Sequence, residues 1–447
     1  MIRLGILFLM MLAWASLWCQ DETSTPDTPA TSDNSQMSVP PPVSIQSYPT
    51  VTGSEERSNY LRAGMTVSTT YSDNVLGGIT PNPVSDESYS VWPYIALDET
   101  STRLHTTLSF APGFTFYQRT TERNEADENL GLNLSYRLSP HTTISFVDSF
   151  HKSSTFLNQA NLPGESGIAA APVSPVTIYA PVADQLSNLA MTQFTYQFAP
   201  NGMFGVSGTF TNLHYSDPTQ VSGLYDSSSK GGSAFYNRRL SGRNYIGVSY
   251  QYQRMYAYPT GFTAETQTNT AMFYYTIYLK PTFSFSMFGG PQYSYTEEPG
   301  LAPFRAWSPA AGASLSWQGR QTNISLNYSR MIAPGGGLIG AVNQDAAGVS
   351  LRRQLTRNLT AGVNASFANN KLLNDNAVAQ SGGFSTNGHS FGGGASLEQK
   401  LGQHFALGLS YSRIHQSYSN IAAISSAPNT NQGSVSISYQ FARPLGR

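Results

Sequence analysis

The sequence predicts an all-β fold: a transmembrane antiparallel β-barrel of about eighteen strands (sixteen to eighteen), with both termini periplasmic. From residue 59 onward, apolar and polar residues alternate with period two in runs of about ten residues, the length that a tilted strand needs to cross hydrocarbon. Aromatic residues cluster near the ends of these runs, and the links alternate between short and long. These three observations favour a barrel over a soluble sandwich or propeller, which would bury the apolar face.

The first residues are typical of an export signal. Arg3 supplies a basic start, and the uncharged apolar stretch at 4–17 is too short to span a bilayer. The sequence therefore predicts a signal peptide over residues 1–19, cleaved after Ala15 or Cys19. Lipidation of Cys19 is the alternative.

Two regions follow the signal. Residues 20–58 are rich in Pro, Ser, Thr and Asp and have no period, which predicts a disordered periplasmic segment. Residues 59–447 are the predicted outer-membrane barrel. The alternation is clear in 129–138, 358–367 and 433–441, where each run has one apolar and one polar face.

The links between runs support an even number of strands. Every second link is tight and carries Gly, Pro or Asn, as in "LSPH", "FAPNG" and "KLGQH". The longest of the other links, at 153–182, either folds inward as a constriction or caps the surface. The predicted strands begin near Tyr60, Asp86, Ser101, Ala126, His141, Asp184, Gly202, Gly232, Asn244, Glu265, Thr282, Phe304, Gln321, Gln344, Asn358, Gly388, His404 and Asn431.

A Tyr-x-Arg repeat ends three of these strands. The repeat occurs in "VSYQYQR", "SLNYSR" and "GLSYSR", and its Tyr and Arg share parity with the lipid-facing side chains before them. Such tyrosines fit an aromatic girdle, and an arginine two residues later can reach the headgroup layer. The predicted lipid-interface residues are Tyr252, Arg254, Tyr328, Arg330, Tyr411 and Arg413. Contact of the arginines with lipopolysaccharide phosphate and plain interfacial anchoring are both open.

The residues of the opposite parity point inward and line the predicted lumen. It carries mostly Ser, Thr, Gly, Asn and Gln, with few charges and no ring of one sign, so strong ion selection is not expected. A channel lined with hydroxyl and amide groups would favour neutral solutes such as saccharides. The predicted lumen-lining residues are Ser249, Gln251, Gln253, Arg137, Arg352, Glu398 and Lys400.

Two stretches support a family resemblance. Residues 71–75, "YSDNV", resemble the Tyr-x-Asp-Asn-Val/Ile signature of porin-2-like outer-membrane β-barrels of Gram-negative bacteria, some of which are associated with exopolysaccharide export. The last run, ending in Tyr439 and Phe441, resembles the closing strand that the barrel-assembly machinery reads, although "ARPLGR" follows it. The resemblance implies an integral outer-membrane protein and a link to polysaccharide export. Asp73 is interpreted as a turn residue, with a cation site as the alternative.

Composition limits the function further. The net charge of −1 argues against nucleic-acid binding, and the single cysteine allows neither an intramolecular disulfide nor a cysteine metal site. The sequence has no catalytic, cofactor or phosphate-loop motif, so we expect neither an enzyme nor a cofactor or metal. The predicted function is a porin-like channel for small neutral or saccharide-type solutes. The alternative is a structural or adhesive surface barrel whose long loops bind partners, and the oligomeric state stays open.

Overall fold

The structure is a computed structural model. It describes residues 37, 39–43, 59–77, 82–153, 184–216, 224–259, 261–299, 302–335, 340–373, 387–419 and 429–445. The predicted signal peptide, most of the segment 20–58 and nearly all of the link 153–182 lie outside the described residues. Their boundaries and roles therefore stay predictions.

The described residues form eighteen strands. In chain order these are β1 (Tyr60–Ser72), β2 (Asp86–Thr100), β3 (Leu104–Tyr117), β4 (Glu125–Ser139), β5 (Thr142–Ser153), β6 (Gln185–Ala199), β7 (Gly202–Tyr215), β8 (Asp226–Arg239), β9 (Asn244–Tyr258), β10 (Ala264–Lys280), β11 (Phe283–Glu297), β12 (Phe304–Gln318), β13 (Thr322–Pro334), β14 (Ala341–Gln354), β15 (Leu359–Leu372), β16 (Gly388–Leu401), β17 (Phe405–Tyr418) and β18 (Asn429–Pro444).

The strands close into one barrel. Each strand pairs antiparallel with its neighbours in the chain, and β1 pairs with both β2 and β18. Closure leaves no terminal strand with a free edge. The predicted antiparallel barrel of eighteen strands is confirmed. We call the end with the links after even-numbered strands the short-turn end, and the opposite end the long-loop end.

Some strand boundaries differ from the prediction. β8 begins at Asp226 rather than near Gly232, although its first residues, "DSSSKGG", show no apolar alternation. They are nevertheless paired with β9 from Asp226↔Tyr258 onward, because the pairing partner overrides a weak strand preference. β14 likewise begins at Ala341 rather than near Gln344.

The two faces of the wall differ in polarity. On β18 the outward Val435 and Ile437 are 49% and 54% exposed, whereas the inward Ser438 is 8% exposed. Because exposed apolar side chains recur around the barrel, the outer surface suits hydrocarbon rather than water. None of the helices within the described residues is long and apolar enough to cross a bilayer.

Candidate functional site

The inner wall is built from hydroxyl groups that pair across neighbouring strands. Ser325 Oγ and Ser350 Oγ are 2.6 Å apart, and so are Ser410 Oγ and Ser434 Oγ. Inward residues of adjacent strands face each other in register, so two small hydroxyl residues can satisfy one another. Other inward pairs are Ser90–Thr115, Ser207–Ser233, Thr211–Ser229, Thr266–Thr296 and Thr276–Ser286.

Part of the accessible lumen lies along β13 to β16. Asn327, Asn364 and Ser366 face inward there and are exposed. Thr276 and Ser294, which face inward on β10 and β11, are 0% exposed. A solute in the lumen therefore meets amide and hydroxyl groups of β13–β16, while the inner face of β10 and β11 is covered.

The predicted polar lining on β9 lies at the covered side. Ser249, Gln251 and Gln253 alternate with the outward Tyr250 and Tyr252. Ser249 is only 6% exposed, and Gln253 Nε2 donates to Ser229 Oγ at 3.1 Å. Ser249 and Gln253 thus pack within the inner wall rather than around one open passage.

The predicted lumen charges all lie near the short-turn end. Arg137 is close to the end of β4, Arg352 to the end of β14, and Glu398 and Lys400 to the end of β16. Arg352 on β14 is separated from Glu398 and Lys400 on β16 by one strand, β15. Arg137 lies on a different part of the wall. In the described part of β13–β18, Arg352, Glu398 and Lys400 are the charged residues of inward parity.

A segment that the sequence interpretation missed covers part of the short-turn end. Met37 N donates to Gln197 Oε1 at 3.1 Å, and Gln193 Nε2 donates to Val43 O at 2.7 Å. Met37 also packs against inward side chains of β7, β8 and β9, with Val39 and Val43 beside it; the wall residues are Met203, Phe235 and Tyr245. The signal in the sequence is three apolar residues around a proline run.

The last residues of β13, 331–334, leave the wall, and we call them the β13 end. Its pairing with β12 ends at Arg330↔Ala311, whereas its pairing with β14 continues to Pro334↔Ala341. The cause lies on β12, where Pro309 is opposite Pro291 of β11. Gln318 N donates to Thr282 O between the same two strands, so the alternation of the ladder makes Pro291–Pro309 a non-hydrogen-bonded pair. The N–H that Pro309 lacks would therefore have pointed to β13.

The freed end of β13 packs across the inside of the barrel. Ile332 N donates to Gln292 Oε1 of β11 at 3.0 Å, and Ile332 packs against Met255 of β9 and Ala341 of β14. Gln292 and Met255 both face the lumen, and β13 also approaches β8. This β13 end covers the inner face of β9–β11 and narrows the lumen at the long-loop end.

The predicted interface tyrosines all have polar partners on the outer face. Tyr252, Tyr328 and Tyr411 are 36%, 43% and 50% exposed. Their hydroxyls donate to Gln267 Oε1 (3.4 Å), Asp345 Oδ1 (3.0 Å) and Asn431 Oδ1 (2.8 Å), respectively. The neighbouring strand therefore supplies a polar partner for each hydroxyl, and the position of these rings at a lipid interface stays a prediction.

The three arginines above these tyrosines differ in their partners. Arg254 Nη2 is 2.6 Å from Glu265 Oε1, Arg330 Nη1 is 3.8 Å from Asp345 Oδ1, and Arg413 Nη2 donates to Asn429 Oδ1 at 3.3 Å. All three partners lie on adjacent strands, so sequence parity alone could not identify them.

Asp73 ties the barrel closure together. Its two carboxylate oxygens accept hydrogen bonds from Asn431 N at 2.7 Å and Asn431 Nδ2 at 2.6 Å. The carboxylate thus links the end of β1 to β18, and this contact accounts for Asp73 without a cation. Across the described ranges, no three His, Cys, Asp or Glu side chains are grouped to hold a metal ion.

Comparison with known proteins gives only distant structural similarity. No family model and no curated protein matches the chain. The unliganded ferric citrate transporter FecA matches with 12% identity and a TM-score of 0.39, over 80% of this chain and 60% of FecA. The outer membrane protein OpdK of Pseudomonas aeruginosa matches with 8% identity and a TM-score of 0.41, over 86% of this chain and 99% of OpdK.

A third structure gives the same result. OccAB2 of Acinetobacter baumannii matches with 12% identity and a TM-score of 0.40, over 86% of this chain and 98% of OccAB2. Such low values carry no argument about the function or the solutes of this chain. The resemblance of residues 71–75 to the porin-2-like family stays a prediction.

Proposed function

We propose that this protein is an outer-membrane channel that passes small neutral, hydroxyl-rich solutes. The observation that carries the proposal is the composition of the accessible inner wall. Asn327, Asn364 and Ser366 are exposed to the lumen, and the hydroxyls around them bond one another rather than charged groups. A wall of amides and hydroxyls can exchange hydrogen bonds with sugar hydroxyls without requiring a charged solute.

Two features restrict the proposed passage. The β13 end narrows the long-loop end, and residues 37 and 39–43 cover part of the short-turn end. Both restrictions leave the β13–β16 wall exposed. The proposed path therefore follows Asn327 and Asn364 and then passes the charges at Arg352 and Glu398.

The test is single-channel conductance of the refolded full-length chain in a planar bilayer, with increasing maltotriose. We expect steady conductance steps that maltotriose blocks in a concentration-dependent way. Conductance that maltotriose does not block would indicate a general pore and would contradict the proposed preference for saccharides. A folded barrel without conductance would contradict the channel itself and favour the adhesive alternative, in which the long loops bind partners.

A matched pair of variants locates the path. Asn364→Asp should shift the reversal potential toward cation preference and Asn364→Lys toward anion preference, because the surrounding inner wall is uncharged. Gly433→Asp is the control, since Gly433 has the outward parity on β18. Equal reversal potentials in both Asn364 variants would exclude this wall as the solute path.

A link to polysaccharide export is the narrower form of the proposal. It is supported by the stretch 71–75 and by the neutral inner wall, which suits a chain of sugars. The same bilayer assay distinguishes it, because longer malto-oligosaccharides should then enter from the short-turn side and block more strongly than maltotriose. Block that weakens with chain length would restrict the channel to small solutes.

A further inference from the structure

The outward face of β11–β16 carries an apolar groove of about 500 Å³. Ala347 on β14 pairs with Tyr328 on one side and Phe367 on the other. Since the small alanine lies between two large rings, it forms a floor between two walls, and Ala365 extends that floor. The remaining side chains along the groove are also mostly apolar, among them Phe285, Ala313, Leu315, Leu326, Val349 and Phe391.

A polar row borders this groove on the side of the long-loop end. Arg330, Asp345, Asn369 and His389 follow one another through consecutive cross-strand pairs. The row lies two residues beyond Tyr328, Ala347 and Phe367 along their strands, on the same outward face. Such a change from apolar to charged side chains is typical of the level where hydrocarbon meets lipid headgroups.

Arg330 is the cation of this row, and it keeps hydrogen-bond donors available. Its Nη1 is 3.8 Å from Asp345 Oδ1, which is too far for a hydrogen bond. The Asp345 carboxylate instead accepts from the Tyr328 hydroxyl at 3.0 Å. The Arg330 side chain is 40% exposed, so its guanidinium can bind a group outside the barrel.

The other arginines of the Tyr-x-Arg repeat lack this setting. Arg254 is held by Glu265, whose Oε1 also accepts from Arg254 Nε at 2.9 Å. Arg413 donates to Asn429. Neither arginine borders the groove, whose lining comes from β11–β16.

We propose that the groove and Arg330 together bind one phosphate-bearing membrane lipid. An acyl chain lies over Ala347 and Ala365, and the phosphate contacts the guanidinium. The groove opens on the outer side of a wall whose exposed side chains are apolar, so a hydrocarbon chain is the occupant that this surface would bury favourably. A guanidinium matches phosphate oxygens in geometry and charge. The site does not depend on what passes through the lumen.

The experiment is native mass spectrometry of the folded full-length barrel with lipid A as the probe. Arg330→Gln removes the phosphate contact, and Ala347→Phe fills the groove. Each variant should lower the lipid-bound fraction, with an affinity loss of about tenfold for the loss of a charge-assisted contact. Asp345→Asn should raise the bound fraction, because it removes a negative charge beside the phosphate.

The matched control is Arg254→Gln, which should bind lipid A as the unmodified chain does. Dipalmitoylglycerol, which has no phosphate, should bind more weakly and should not respond to Arg330→Gln. Heat-dependent gel mobility checks that each variant is a folded barrel. Unchanged lipid A binding in Arg330→Gln and Ala347→Phe would overturn the proposal. An equal loss of lipid A binding in Arg254→Gln would also overturn it. A dimer that Ala347→Phe dissociates would overturn it as well, because the groove would then be a contact between two copies of the chain.

Discussion

At the scale of single residues, large inward rings are accommodated by glycines on the next strand. Tyr274 of β10 is directly opposite Gly247 of β9, and a β-carbon on Gly247 would collide with the ring. The Tyr274 hydroxyl reaches the carbonyl of Tyr236 on β8 at 3.2 Å. The ring therefore extends along the wall across two strands, and the same arrangement places Trp92 over Gly113.

Gly247→Val should drive the Tyr274 ring away from the wall and into the lumen. The variant should conduct less, and its free energy of unfolding should fall by about 1–3 kcal/mol, as expected for an overpacked site. Single-channel recording and denaturant unfolding measure the two effects. Gly433→Val is the control, because no atom lies within 4 Å of a β-carbon built there. Adding Tyr274→Ala to Gly247→Val should restore conductance; no recovery would contradict the displaced-ring explanation.

Side-chain direction could be predicted from sequence because a strand alternates faces. Parity separates Gln251 and Gln253 from Tyr252 on β9. It cannot predict which residue lies beside them, since that depends on the register with another strand. The ion pair between Arg254 and Glu265 is an example: both residues are visible in the sequence, but only the pairing of β9 with β10 brings them together.

At the scale of elements, β13 is a strand with two different environments. Up to Arg330 it is an ordinary part of the wall, and beyond it the β13 end packs inside the barrel. Its outward-parity residue Ile332 is therefore only 3% exposed. The sequence shows Pro309, but the loss of pairing follows only when Pro309 is opposite Pro291 and next to β13. Alternation alone predicts a straight strand here.

Gln292→Ala should loosen the β13 end. The variant removes the acceptor of Ile332 N, and such a bond contributes about 1 kcal/mol. A change of this size corresponds to about a fivefold increase in the population of the state in which the β13 end is released from the inner wall. Single-channel records should therefore show more frequent high-conductance events. Gln399→Ala, on the outer face of β16, is the control, and identical conductance histograms for Gln292→Ala and the unmodified chain would exclude this role for the contact.

At the scale of the whole molecule, the closed barrel could be predicted because its signals repeat in every strand. Eighteen period-two runs with alternating links leave few other architectures, and a boundary error such as that at Asp226 does not change the topology. The contents of the lumen could not be predicted in the same way. The inward packing of Met37 and of Ile332 each occurs once and depends on contacts between residues distant in sequence.

Residues 37–43 and the β13 end act at opposite mouths of the barrel, so their effects on a channel should be separable. Deleting residues 37–43 removes two hydrogen bonds to Gln193 and Gln197 and the apolar contacts of Met37 with Phe235. The shortened chain should conduct more than the full chain because the short-turn end is less covered.

The direction of access tests this assignment independently of the current. A cysteine placed at Gln197 should react faster with a charged thiol reagent in the shortened chain than in the full chain, and only with reagent on the short-turn side. Reaction at a cysteine replacing Met255 should keep its rate, because Ile332 of the β13 end still covers that position. A shortened chain with unchanged conductance and unchanged Gln197 reactivity would mean that the segment does not restrict this mouth, and the β13 end would then remain as the constriction to test.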